Sequence, residues 1–195
     1  SIARIESCVN EATIAVKSHR AAGIVGNAYL VEIDNCINEG PVSCDYSENY
    51  VANVSGVRMG GILAYCSEQN VKGQKISSCV NNGLISTQEA GSVAGGVCGL
   101  IKCYDVSGCR NYGDVIAPEG MRGLLVGVLQ SSTTQSSFSD CALRGRIGAR
   151  ADQSDAVQAD SENYLSLGAT IISGQACDSW NRDNVKFIGT LSGKG

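Results

Sequence analysis

The chain has 195 residues, a formal charge of −4 and a pI near 5.0. That length allows one sizeable core, the 15 Lys and Arg are scattered rather than gathered into a nucleic-acid face, and no apolar run approaches the roughly 18 residues of a membrane span. Glycine is frequent at 24, proline rare at 2 and aromatics only 5%, a composition of many tight turns and few bulky side chains that suits thin, regularly stacked layers.

Taken in chain order, five segments share an apolar residue, two variable positions and a cysteine. They are Ile5-Glu-Ser-Cys8, Ile33-Asp-Asn-Cys36, Ile76-Ser-Ser-Cys79, Val106-Ser-Gly-Cys109 and Phe138-Ser-Asp-Cys141. The register continues past the cysteine. Two residues on stand Asn10, Asn38, Asn81 and Asn111, with Leu143 breaking the series; four on stand Ala12, Gly40, Gly83, Gly113 and Gly145; six on stand Ile14, Val42, Ile85, Val115 and Ile147. A second block follows in four units: Gly23-Ile-Val-Gly26, Gly61-Ile-Leu-Ala64, Gly96-Val-Cys-Gly99 and Leu124-Leu-Val-Gly127.

The cysteine intervals of 28, 43, 30 and 32 residues set a period near 30, with an insertion in the second unit, and such a period marks a solenoid. The apolar runs are short, β-branched and bounded by Gly, Asn and Ser, which predicts strands. Equivalent strands of successive units then lie side by side in parallel. The expected fold is all-β, a right-handed parallel β-helix of about five coils over residues 1–148. Residues 149–195 are expected to complete the final coil and form a C-terminal cap around Trp180, within one continuous domain. Right-handed winding follows from the strong preference of strand-crossover-strand connections.

This geometry predicts the residue columns. Inward side chains sit above their equivalents, so Cys8, Cys36, Cys79, Cys109 and Cys141 should form a buried, unbridged file, since parallel side chains give a poor disulfide torsion. The asparagines should form an amide ladder, and the fourth-position glycines should supply a backbone conformation that other residues resist. Cys98 should point inward beside Val25, Leu63 and Val126, while Cys66 and Cys103 could form a second short column. For Cys44 and Cys177 a disulfide stays open.

The Cys-x-Asn-x-Gly turn followed by a Gly-Gly-Ile-Val-Gly-like strand resembles the GLUG-motif repeats of bacterial surface proteins, frequent in gut Bacteroidetes. The unit Cys79-Val-Asn81-Asn-Gly83 with Gly95-Gly96-Val-Cys-Gly99 matches best, and the resemblance covers roughly residues 5–148. It implies an exported, envelope-attached region of adhesive or scaffolding role, extracellular or at the cell surface, belonging to a longer polypeptide, with no catalytic residue to carry over.

No catalytic constellation stands out in the residues. Of the positions two before each cysteine, only Glu6 and Asp34 would stack as carboxylates; glycoside cleavage needs two carboxylates facing one bond. His19 lies near no Gly-x-Ser-x-Gly elbow and reads as an exposed turn residue. No CxxC pair or nonapeptide calcium repeat occurs, and no cofactor or metal is expected. Insertions in solenoids map to loops and often to a binding face. Residues 43–57 carry Tyr46, Glu48, Asn49 and Tyr50, aromatic faces beside an amide and a carboxylate, which suit a glycan. Residues 149–164 form an acidic excursion that reads as a solvated loop. The expected function is a non-enzymatic surface module presenting loops to a glycan or to a host or cell-surface protein. The rival readings are a β-helix polysaccharide lyase or glycosidase, and a passive spacer of a longer surface protein.

Overall fold

The computed structural model describes residues 2–45, 57–66, 73–89, 92–102, 104–117, 121–130, 137–143, 145, 147–148, 170–172 and 185–187. Among these, every named element is a strand, and the strands pair in parallel with their equivalents one repeat away. The fold is thus an all-β stack of parallel sheets with the architecture of a β-solenoid.

The chain visits five sheets in turn. Sheet 1 holds Ala3–Glu6, Val31–Asp34, Gln74–Ser77, Tyr104–Ser107 and Ser137–Ser139. Sheet 2 holds Val9–Asn10, Ile37–Asn38, Val80–Asn81, Arg110–Asn111, Cys141–Leu143 and Val185–Phe187. Sheet 3 holds Ile14–Val16, Val42–Cys44, Ile85–Thr87, Val115–Ile116 and Ile147–Gly148. Sheet 4 holds Arg20–Ala22, Arg58–Gly60, Val93–Gly95 and Met121–Gly123. Sheet 5 holds Leu63–Tyr65, Cys98–Ile101, Val126–Gln130 and Thr170–Ile172, and Val25 and Ala28 bridge onto it at Leu63 and Cys66.

The registers place like over like. Ile5, Ile33, Ile76, Val106 and Phe138 stack in sheet 1, and Ile14, Val42, Ile85, Val115 and Ile147 stack in sheet 3. Ile33, Ile76 and Ile85 are wholly buried, and each such side chain contributes roughly 1.5–3 kcal/mol of burial. Cys98 lies between Leu63 and Val126, with Val25 one rung further, as expected. Cys66 departs from expectation: its N–H donates to the Leu100 carbonyl, a register that sets it beside Ile101, and Cys103 lies outside the described residues.

Two features of the corners revise the sequence reading. Gly40, Gly83 and Gly113 do not take positive φ. A Cβ there would run into the carbonyl of Ala12, Gly40 or Gly83 in the turn below, so close stacking of corners demands the glycine. Gly145 alone among the fourth-position glycines takes positive φ, at 121°. The left-handed corner lies elsewhere, immediately before each ladder cysteine: Ser7, Asn35, Ser78, Gly108 and Asp140 have φ of 51–62°. Asn, Asp and Gly are the residues that tolerate this conformation best.

Candidate functional site

Tyr46, Glu48, Asn49 and Tyr50 lie outside the described residues, as do the acidic excursion 149–164, Cys177 and Trp180. The chain leaves sheet 3 at Cys44 and enters sheet 4 at Arg58, so the insertion is anchored at that corner.

The cysteine file forms with one departure. Cys36, Cys79, Cys109 and Cys141 are buried and free, whereas Cys8, on the edge strand's turn, is exposed. Each buried thiol donates to the carbonyl two residues earlier, Asp34, Ser77, Ser107 or Ser139, at 3.2–3.5 Å. Burial pushes the Cys36 and Cys141 thiols up to about 11, and burial raises Cys44 and Cys98 as well. Cys109 is held well above the usual thiol range by its hydrogen bond with Cys79 and by burial. Nucleophilic and metal-binding chemistry needs thiolate, which burial disfavours at these positions; Cys79 runs the other way, its thiol lowered by the hydrogen bond with Cys109.

Beside the sulfurs runs the amide ladder. Nδ2 of Asn10, Asn38 and Asn81 each donates to Oδ1 of the next asparagine at 2.7 Å. The same Nδ2 atoms, and that of Asn111, also donate to the carbonyl two residues on, at 2.8–2.9 Å. Asn38, Asn81 and Asn111 are fully buried, and their paired state avoids the cost of stranded amides.

On the outer face of sheet 1, Glu6 and Asp34 do stack. Arg4 reaches both carboxylates, at 3.3 and 3.6 Å, and Ser77 Oγ donates to Asp34 Oδ1 at 2.6 Å. The next outward column alternates in sign, Arg4, Glu32, Lys75 and Asp105. The two columns set Arg4 and Lys75 against Glu6, Glu32, Asp34 and Asp105, a strip of mixed surface charge of the kind that contributes little to stability.

Sheet 4 breaks that alternation. Its first residues, Arg20 and Arg58, are register partners, and both guanidiniums lie over the ring of Tyr65, at 4.2 and 4.7 Å from its centroid. All three side chains are half-buried. The following rung is Val93, which packs with Leu100 and Val128 into a small cluster that Tyr65 also touches. His19 adjoins the pair: its carbonyl accepts from the Arg58 N–H at 2.7 Å. It is half-buried with its Nε2 enclosed, and so is not the exposed turn residue its sequence context suggests. The sequence contained a signal for this site. Arg20 and Arg58 each stand three residues before the second block, at Gly23 and Gly61, but the insertion separates them.

A scan of protein-family models gives no match to the chain, and neither do searches of curated proteins and of solved structures.

Proposed function

We propose that this chain is a non-enzymatic module of the bacterial cell surface, a right-handed solenoid of about five coils that presents loops to a glycan or protein partner. One observation carries the reading. The insertion bearing Tyr46, Glu48, Asn49 and Tyr50 joins the sheet 3 strand that ends at Cys44 to the sheet 4 strand that begins at Arg58. A rigid scaffold with variable excursions at one corner is how solenoids build binding faces. The resemblance to GLUG-type repeats supports an extracellular location. The stacked carboxylates Glu6 and Asp34 are engaged by Arg4 on a sheet face, which favours a binding module over a glycosidase.

A glycan array probed with the wild-type chain and with the Tyr46→Ala/Tyr50→Ala double variant tests this. Binding that the double variant loses supports the reading. Binding to nothing points to a passive spacer, and depolymerisation of any polysaccharide in the panel would overturn the non-enzymatic assignment.

A further inference from the structure

We infer that the first turn is built as an end of the stack. The methyl group of Ala12 stands where each later turn receives the corner of the turn before it, so this face takes no further turn of the repeat, whether from this chain or from a second copy. Assembly at this face is independent of what the module binds elsewhere.

Gly40, Gly83, Gly113 and Gly145 hold this corner in the later turns. A Cβ on Gly40 would overlap the carbonyl of Ala12, one on Gly83 that of Gly40, one on Gly113 that of Gly83, and one on Gly145 that of Gly113. The collision is each time with backbone, and each time with the preceding turn. Ala12 sits at the same offset from its cysteine, also outside positive φ, between strands that pair in the same parallel register as their equivalents. Its Cβ therefore points at the place that a preceding corner carbonyl would take, and interior packing leaves no slack for a methyl group there.

The corner is also pinned. Asn10 Nδ2 donates to the Ala12 carbonyl at 2.9 Å, and the Ala12 N–H donates to Asn10 Oδ1 at 3.3 Å, while the Asn10 carbonyl accepts from the N–H groups of Glu39 and Gly40 at 2.8 and 3.3 Å. These bonds differ from the later turns in one respect. The N–H groups of Gly40 and Gly83 donate back to the carbonyls of Asn10 and Asn38, and Oδ1 of Asn38 and Asn81 accepts from the preceding asparagine. The first turn joins to each other the two groups that a preceding turn would have satisfied, the Ala12 N–H and Asn10 Oδ1, so neither is stranded at the face. Around them Cys8 and Val9 are exposed, whereas Cys36 in the next turn is wholly buried. An open parallel edge carrying apolar groups invites edge-to-edge growth and head-to-tail fibres. One methyl group at one corner blocks that growth in the register of the repeat.

The test extends the full chain with a copy of its own residues 74–103 placed directly before Ala3, which sets the copied Lys75 in line with Arg4. Alkylation of Cys8 by iodoacetamide, read by peptide mass spectrometry, and the melting temperature are followed with Ala12 retained and with Ala12→Gly. The unextended chain and its Ala12→Gly variant run alongside, to show that the substitution alone preserves the fold and the reactivity of Cys8. With Ala12 retained, the added turn should stay undocked and Cys8 should react as fast as in the unextended chain. With Ala12→Gly the turn should dock, raise the melting temperature and slow Cys8 alkylation by about ten-fold or more, as for a thiol that reacts only on local opening. Protection of Cys8 in the extended chain that keeps Ala12 would overturn the block. Cys8 equally reactive in both extended chains would place the obstacle elsewhere and overturn its assignment to Ala12. Gly83→Ala in the unextended chain should lower the melting temperature, and an unchanged value would show that this corner tolerates a methyl group between turns, which also overturns the inference.

Discussion

Gly61 lies against the side-chain amide of Asn81 in the next turn, so that a Cβ on Gly61 would overlap both that amide and the Gly96 carbonyl. The pairing repeats at Gly23 with Asn38 and at Gly96 with Asn111. It then changes on both sides at once: Leu124 stands where the next glycine would be and Leu143 where the next asparagine would be, both fully buried in the same core. The repeat thus has two solutions to one slot, a polar pair and an apolar pair.

Gly61→Ala should lower the unfolding free energy by about 3 kcal/mol, because the collision is partly with backbone that cannot swing away. Asn81→Ala should cost about 2–4 kcal/mol, since it strands the amide partners at Asn38, Asn111 and Gly83 together. Urea denaturation followed by circular dichroism reads both, and a midpoint unchanged by Asn81→Ala would show that the ladder contributes nothing.

The linked exchange at Leu124 and Leu143 gives a double-mutant cycle. Leu143→Asn alone buries an amide against Leu124 and should destabilise. Adding Leu124→Gly opens the glycine slot and lets Asn111 pass its ladder bond onward. A favourable coupling of about 1 kcal/mol between the two changes is expected, and additive losses would show that the slots are independent.

At Gly108 the φ of 62° sets the constraint, because a Cβ there would meet only ordinary contacts with Ser78 at 3.7 Å. Gly108→Asn should therefore leave the melting temperature nearly unchanged. Gly108→Val should cost about 1–2 kcal/mol, since a β-branched side chain resists the left-handed region. Equal melting temperatures for the two variants would place the cause elsewhere.

Thiol protection and alkaline stability follow from the buried file. In a Cys103→Ser/Cys177→Ser background, Cys8 alone should react rapidly with an aromatic disulfide reagent, leaving the other seven described cysteines protected until unfolding. Cys36 and Cys141 ionise near 9.0 in an unfolded chain and near 11 in the folded one. Between those values the unfolded chain releases protons that the folded chain retains, so stability is fully present below pH 9 and falls as the pH rises towards 11. Cys36→Ala should flatten that fall, and a slope unchanged in the variant would exclude the Cys36 thiol as its source.

The columns were legible in the sequence because parallel stacking puts equivalent residues in contact. The Ile, Cys and Asn files appear as recurrences at one offset, and the registers reproduce them. The left-handed corner was less visible. Ser7, Asn35, Ser78, Gly108 and Asp140 are unrelated by identity and share only the positive φ itself, which Asn, Asp and Gly tolerate and which serine does not announce. The glycine column was recognised, but the reason for it was close approach of a neighbouring carbonyl, which a single turn's sequence does not reveal. Arg20, Arg58 and Tyr65 were missed because two are separated by the insertion and the third joins them across sheets.

The asparagine ladder also gives the molecule a direction. Asn38 and Asn81 each donate from Nδ2 towards the following turn and accept at Oδ1 from the preceding one, with Asn10 the first donor and Asn111 the last acceptor, so the amide dipoles align head to tail through the interior. Such a file polarises its members cooperatively. Its two ends differ in kind: at Asn10 the Oδ1 receives the Ala12 N–H, at 3.3 Å, and at Asn111 the file meets Leu143. Any strand laid against the first edge can join the file only by bringing a donor to Asn10, so the interior, like the sheets around it, admits extension in a single orientation.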